Sequence, residues 1–251
     1  MVTQSPLVRS PGTRIGTGLV MAVSTALILS TSTGSALAQA GTALPTVAVL
    51  DFTNGAVGKT DYSPLTKGLA EMLITELGAN ENIRVVERAR LASVLEEQGL
   101  SSSGQVAQEN MVKAGKITGA QHMLIGTFVI DTKNRLRMDI RSVNSETTER
   151  EYSTSVSGKA DDVLELLVQL AEKLNAGLKL PSPQQGFEGG KAVGASGSNQ
   201  FRSLLLIGRA LEQQDQKNNA QAISLYKEAV AANPDNQRAK TLLASLEREV
   251  R

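Results

Sequence analysis

The sequence predicts an α/β protein, with helices packed on a mixed sheet and a small all-helical module after it. Three observations predict this. Short β-branched runs alternate with helical apolar stripes between Thr46 and Ile130. A strand with strict apolar/charged alternation follows at Arg135–Arg141. Residues 200–251 then carry only helical periodicity.

The first forty residues read as a targeting segment rather than fold. Arg9 and Arg14 precede an apolar stretch from Gly18 to Leu29, and small residues end at Ala36-Leu37-Ala38-Gln39-Ala40. A basic start, a short apolar core and an Ala-x-Ala site describe a secretory signal peptide, cut after Ala38 or Ala40. The core is shorter than the ~20 residues that span a bilayer. Removing Arg9 and Arg14 leaves 24 basic against 25 acidic residues. No Arg-Arg pair precedes the core and no Cys follows it, so general secretion without a lipid anchor is expected.

Thr46–Phe52 is a buried strand by its β-branched and apolar content. Asn54 to Gly58 is a turn, and Ser63-Pro64 opens a helix, with Ser63 as N-cap and Pro64 as first helical residue. Leu65, Leu69, Met72, Leu73 and Leu77 form its stripe. Ile83–Val86 is the second strand. Leu91, Val94 and Leu95 mark the second helix, closed by Gly99. A Ser-rich loop leads to a third helix, Val106–Ile117, and His122–Ile130 is the third strand. Asp131–Asn134 turns the chain into the alternating strand, where Leu136, Met138 and Ile140 share one face and Arg135, Arg137, Asp139 and Arg141 the other. A turn near Asn144 gives a fifth strand over 149–156. Asp161–Leu178 is the closing helix. Residues 181–199 hold two Pro and five Gly, which predicts a flexible linker between an α/β domain at 45–180 and a helical module at 200–251.

Composition excludes several kinds of chemistry. The absence of Cys removes disulfides, thiolate metal sites and cysteine nucleophiles. The single His122 leaves no His-rich metal site. Near-neutral charge and 3% aromatics do not mark a nucleic-acid surface. No cofactor, metal or catalytic residue is expected.

Gly55-Ala56-Val57-Gly58-Lys59-Thr60 lies between strand and helix as a phosphate loop does, but Thr53 and Asn54 stand where the two phosphate-loop spacings need Gly or Lys. A hydrolase would need Asp51, at a strand end, and Asp61, in the next loop, to act as a carboxylate pair, with Lys59 nearby. Local capping or pairing is the simpler role for Asp51.

Val47–Phe52, Leu73-Ile74-Thr75-Glu76-Leu77, Val85-Val86-Glu87-Arg88, Leu91 and Leu95-Glu96-Glu97-Gln98 together resemble the CsgG family of curli secretion channels, related to LpoB-type activators of peptidoglycan synthases and to the amino-terminal domain of TolB. Gly115–Ala120, Leu124-Ile125-Gly126 and Arg141 continue the resemblance over roughly 45–180. It implies a non-catalytic envelope protein working through protein contacts. Channel members are lipoproteins with long membrane hairpins, whereas this chain has no Cys and charges line one face of Arg135–Arg141. In the tail, Ala222, Tyr226, Ala229 and Pro234 resemble the second half of a tetratricopeptide repeat, with Lys240–Val250 as a capping helix.

The expected function is therefore assembly or secretion of curli-like or other surface material, in the periplasm and at or near the outer membrane. The alternative is an LpoB-like regulator of a peptidoglycan synthase, and a hydrolase using Asp51 and Asp61 is the third reading. Expected partners are envelope proteins or further copies of the chain, with no membrane span after cleavage.

Overall fold

β1 (Thr46–Val49) lies at the centre of the protein because every one of its residues is buried on both faces. The computed structural model describes residues 43–55, 61–100, 107–184, 186–187 and 197–251. The predicted signal peptide, Lys59 with its Gly-rich loop, the Ser-rich loop at 101–106 and most of the predicted linker lie outside the described residues.

After β1 come β2 (Thr53–Asn54), α1 (Leu65–Gly78), β3 (Arg84–Val85), α2 (Arg88–Glu97), α3 (Gln108–Thr118) and β4 (His122–Ile130). Next are β5 (Arg135–Asn144), β6 (Arg150–Lys159), a 3₁₀ turn at Ala160–Asp162 and α4 (Val163–Gly177). The tail is α5 (Gly197–Asp215), α6 (Asn219–Ala232) and α7 (Gln237–Glu249). The strands form one mixed sheet in the order β3-β1-β4-β5-β6, and β2 also pairs with β4. β1 runs parallel to β3 and β4, while β4, β5 and β6 form an antiparallel meander.

Side-chain alternation divides the sheet between two cores. Val47, Val49, Leu124, Phe128, Leu136, Met138 and Ile140 face α1, α4 and the tail helices. Ala48, Leu50, Met123, Ile125 and Val143 face α2 and α3. Gly126 has no room for a side chain, because a Cβ there would overlap the Phe52 ring. Gly119 ends α3 in the left-handed region, at φ 73°, where glycine escapes the Cβ penalty.

Several boundaries differ from the sequence reading. α1 starts at Leu65, and the N-cap position falls on Pro64, in helical geometry. Ser63 does not cap. Its amide and hydroxyl instead donate to Asp61 Oδ1, at 2.9 and 2.6 Å, so Asp61 organises the turn. β6 extends to Lys159, and α5 begins at Gly197, inside the predicted linker. The linker's first residues are tied down: Asn80 Nδ2 donates to the Pro181 carbonyl at 2.8 Å and Asn82 Nδ2 to that of Ser182 at 2.9 Å.

The tail helices pack directly on α1. A Cβ at Gly208 would overlap the Pro64 carbonyl, and one at Gly68 would stand 2.9 Å from the Leu204 carbonyl. Two glycines thus let α1 and α5 approach closely, and Leu204, Ile207 and Leu211 join the same core as Leu65, Leu69 and Leu73. Thr42–Arg251 forms one compact unit.

Candidate functional site

Two charged constellations stand out, one buried between helices and one on the open face of the sheet. The buried one centres on Arg88, in the first turn of α2, whose side chain is 6% exposed. Its Nη2 donates to Asp215 Oδ1 at 2.6 Å. Nη1 lies 3.6 Å from Asp51 Oδ2, and Nε lies 3.9 Å from Glu71 Oε2. Lys67 pairs with the other Asp215 oxygen, and Arg238 Nε donates to Glu71 Oε1 at 2.8 Å. One cation thus joins Asp51, just past β1, to α1 and the last residue of α5, and Glu71 extends the network to α7.

The electrostatics follow from this geometry. Burial disfavours the charged form of Arg88, but donation to Asp215 and the nearby Asp51 and Glu71 outweigh it, so its pKa is raised. Burial likewise pushes Asp215 up, and the Arg88 and Lys67 bonds outweigh it, leaving its carboxyl below the usual range. Tyr226, buried beside the cluster, has its phenol pushed up by burial and by Glu71, and its hydroxyl donates to Gln214 Oε1 at 3.0 Å.

Asp51 and Asp61 are thereby given different surroundings. Asp51 is buried and paired to Arg88. Asp61 is exposed, held below the usual carboxylate range by the Ser63 hydroxyl and amide. It lines an open groove of about 960 Å³ with Arg209, Glu212 and Lys217. His122 Nδ1 lies 2.8 Å from Glu151 Oε2, and Glu151 also accepts from Ser142 and Asn144 at 2.9 Å each. Burial raises the Glu151 pKa, but these donors outweigh it and leave it lowered.

Sequence reasoning missed Arg88, Glu71, Asp215 and Arg238. A usable signal was Glu71 within the apolar run Leu69–Ile74 of α1. A carboxylate forced into a buried position requires a cation.

The open constellation lies where α2 and α3 stop covering the sheet. Arg135, Arg137 and Arg141 of β5 are exposed there, beside Thr127 and Val129 of β4 and Ser153 and Ser157 of β6. Arg137 Nη2 donates to Asp139 Oδ1 at 2.6 Å. A hollow of about 500 Å³ sits over Thr127, Asp139, Arg141, Ser153 and Ser155. The surface is polar, carries three arginines against one aspartate, and lies on the antiparallel β4–β5–β6 meander.

No curated protein matches the chain. Among solved structures, the C-terminal domain of LpoB from Salmonella enterica aligns with a TM-score of 0.38 at 18% identity, over 47% of this chain and 84% of that one. Lipoprotein GNA1162 from Neisseria meningitidis aligns with a TM-score of 0.38 at 19% identity, over 45% and 79%. A PelC dodecamer from Paraburkholderia phytofirmans gives 0.36 at 12%, over 53% and 87%. The family described as "Curli production assembly/transport component CsgG" matches residues 29–130, a segment that ends on the last residue of β4.

Proposed function

We propose that this is a non-catalytic, exported CsgG-like envelope protein that acts in assembly or secretion of curli-like or other surface material through protein–protein contacts. The observation that carries the reading is the CsgG match over residues 29–130. The placement of Asp51 and Asp61 agrees with it, since one is paired with Arg88 and the other organises a turn. The signal-peptide pattern before Ala40 supports a periplasmic location for the mature protein. Ala222, Tyr226 and Ala229, all fully buried, support reading α5–α7 as a tetratricopeptide-like module.

The second reading is an LpoB-like regulator of a peptidoglycan synthase. It is favoured by the exposed Arg135, Arg137 and Arg141, because a basic residue facing lipid at the bilayer midplane costs about 2–4 kcal/mol.

Fractionation and cross-linking in the native host test the proposal. The expected result is a periplasmic protein lacking residues 1–38 or 1–40, cross-linked to envelope proteins, whose deletion reduces export of surface material. A cytoplasmic protein retaining Met1 overturns it. Cross-links to a cell-wall synthase, with export intact, move the assignment to the second reading.

A further inference from the structure

β6 is the outer strand of the sheet and is ten residues long, whereas the opposite edge is the two-residue β3. The direction of its main-chain groups follows from register. The Ala160 amide donates to the Asn134 carbonyl at 2.9 Å, continuing the pairing of Leu136 with Gly158 and Met138 with Val156. In an antiparallel ladder the bonded pairs alternate. The even-numbered residues 152–158 therefore direct N–H and C=O toward β5. Ser153, Ser155, Ser157 and Lys159 direct theirs outward.

Edges of this length are ordinarily blunted by charge, proline, a bulge or an overlying element. The run Ser153–Ser157 holds no charge and no proline, and the bulge lies further along, at Ser142/Val143. Among the described residues one side chain reaches an outward group: Lys173 Nζ donates to the Ser155 carbonyl at 2.9 Å. Lys173 is exposed, so an incoming amide can take its place.

The side chains beside this edge carry a sign. On the open face Arg141 stands opposite Ser153, Asp139 opposite Ser155, Arg137 opposite Ser157 and Arg135 opposite Lys159. Short serines let the arginines of the second strand reach past the edge. Arg137 is held by Asp139, and Arg135 by Asp131 at 3.9 Å. Arg141 and Lys159 are exposed with no carboxylate partner among the described residues. Main-chain groups in search of a strand thus lie next to cations in search of carboxylates.

We propose that the β6 edge takes an extended, acidic segment of a partner protein as an added strand, its alternate carboxylates meeting Arg141 and Lys159 while its backbone pairs with Ser153, Ser155 and Ser157. The proposal rests on the reading of this chain as a protein-docking module and names the kind of partner. Its test in purified components does not depend on location or cargo.

The probe is a synthetic ten-residue peptide of alternating Glu and Val, titrated into the protein from Thr42 onward. The controls are the same residues in two blocks and an alternating Lys–Val peptide. The expected result is saturable binding of the Glu–Val peptide alone, with slowed amide exchange at Ser153, Ser155 and Ser157. Ser155→Pro removes an outward donor without breaking the ladder to β5, and Arg141→Glu reverses a charge. Each should weaken binding at least tenfold while the circular dichroism spectrum stays unchanged. Should Ser155→Pro fail to fold, Ser157→Pro and the exchange measurement carry the same test. Absence of binding, equal binding of the block peptide, or binding that survives both proline variants overturns the proposal. A dimer in the ultracentrifuge that Ser155→Pro abolishes also overturns it, because the occupant is then a second copy.

Discussion

Arg88 on α2 and Asp215 at the end of α5 meet at 2.6 Å across 127 positions of sequence. This contact joins the helical tail to the sheet domain electrostatically, next to the apolar seam where α5 lies on α1. Arg88 also balances Asp51 and Glu71, both nearly inaccessible to water. Removing the cation weakens the neutralisation of Asp51, Glu71 and Asp215 together, although Arg238 still pairs with Glu71 and Lys67 with Asp215, and taking one partner from a buried ion pair costs far more than losing an exposed one. Arg88→Met should destabilise the protein by about 3–5 kcal/mol, read as a lower urea midpoint with an unchanged slope. A loss within about 0.5 kcal/mol would show that the cluster carries little of the fold's stability.

The α1–α5 seam depends on glycine. Gly208→Ala places a methyl group on the Pro64 carbonyl and forces the helices apart, at about 1–3 kcal/mol. Gly78, the last residue of α1, has open space where its Cβ would be, so Gly78→Ala should be neutral or stabilising by about 0.4–1 kcal/mol. Opposite responses from two glycines bordering the same helix separate packing from helix propensity. Thermal melts of the two variants provide the comparison.

Elements with local patterns were legible in the sequence. The alternation in β5 placed Leu136, Met138 and Ile140 inside and its arginines outside, and the structure agrees residue by residue. The stripe of α1 was equally clear. β2 was not legible, because Thr53–Asn54 becomes a strand only by pairing with Thr127 and Phe128. The start of α5 was hidden by composition: Gly197 and Ser198 read as linker, yet Gly197 packs against Asp161. The Arg88 cluster was the least legible feature, since its members are scattered from Asp51 to Arg238 and only Glu71, inside an apolar run, signals burial by its neighbours. The open face of the sheet was half legible, since charge alternation revealed the face and only the register revealed which main-chain groups point outward.

Acid should weaken the tail contact and the sheet alike. Asp215 and Glu151 both have pKa values lowered from the ordinary 3.8 and 4.5. A lowered folded-state pKa contributes stability above the unfolded value and loses it as pH falls through the folded one. Stability should therefore be level near neutrality and decline below about pH 4.5. Asp215→Asn removes one of the lowered carboxylates and should lessen that decline, since an amide has no proton to gain. Urea midpoints at pH 7, 5, 4 and 3 for the two proteins test the sign. A midpoint that rises on acidification contradicts the assignment.

Cutting the chain between Phe187 and Gly197 should not release the tail. A protease site placed there severs a connection outside the described residues, but the two fragments remain joined by the α1–α5 core and the Arg88–Asp215 contact. Phe187 is itself buried, on the sheet-domain side of the cut. A purely polar junction would fall apart in salt, because exposed ion pairs are screened beyond about 10 Å at 0.1 M. Leu204, Ile207 and Leu211 are removed from water against α1, and burial of that kind stabilises by about 25 cal/mol per Å² with little dependence on salt. The nicked protein should therefore elute at the size of the intact chain in 0.1 M and in 1 M NaCl. It should separate once acid has discharged Asp215 and mild urea has weakened the apolar seam. Gly208→Ala should shift that separation to lower urea. Two fragments that part in neutral buffer would mean that the helical tail is a separate domain, joined to the sheet by its linker alone.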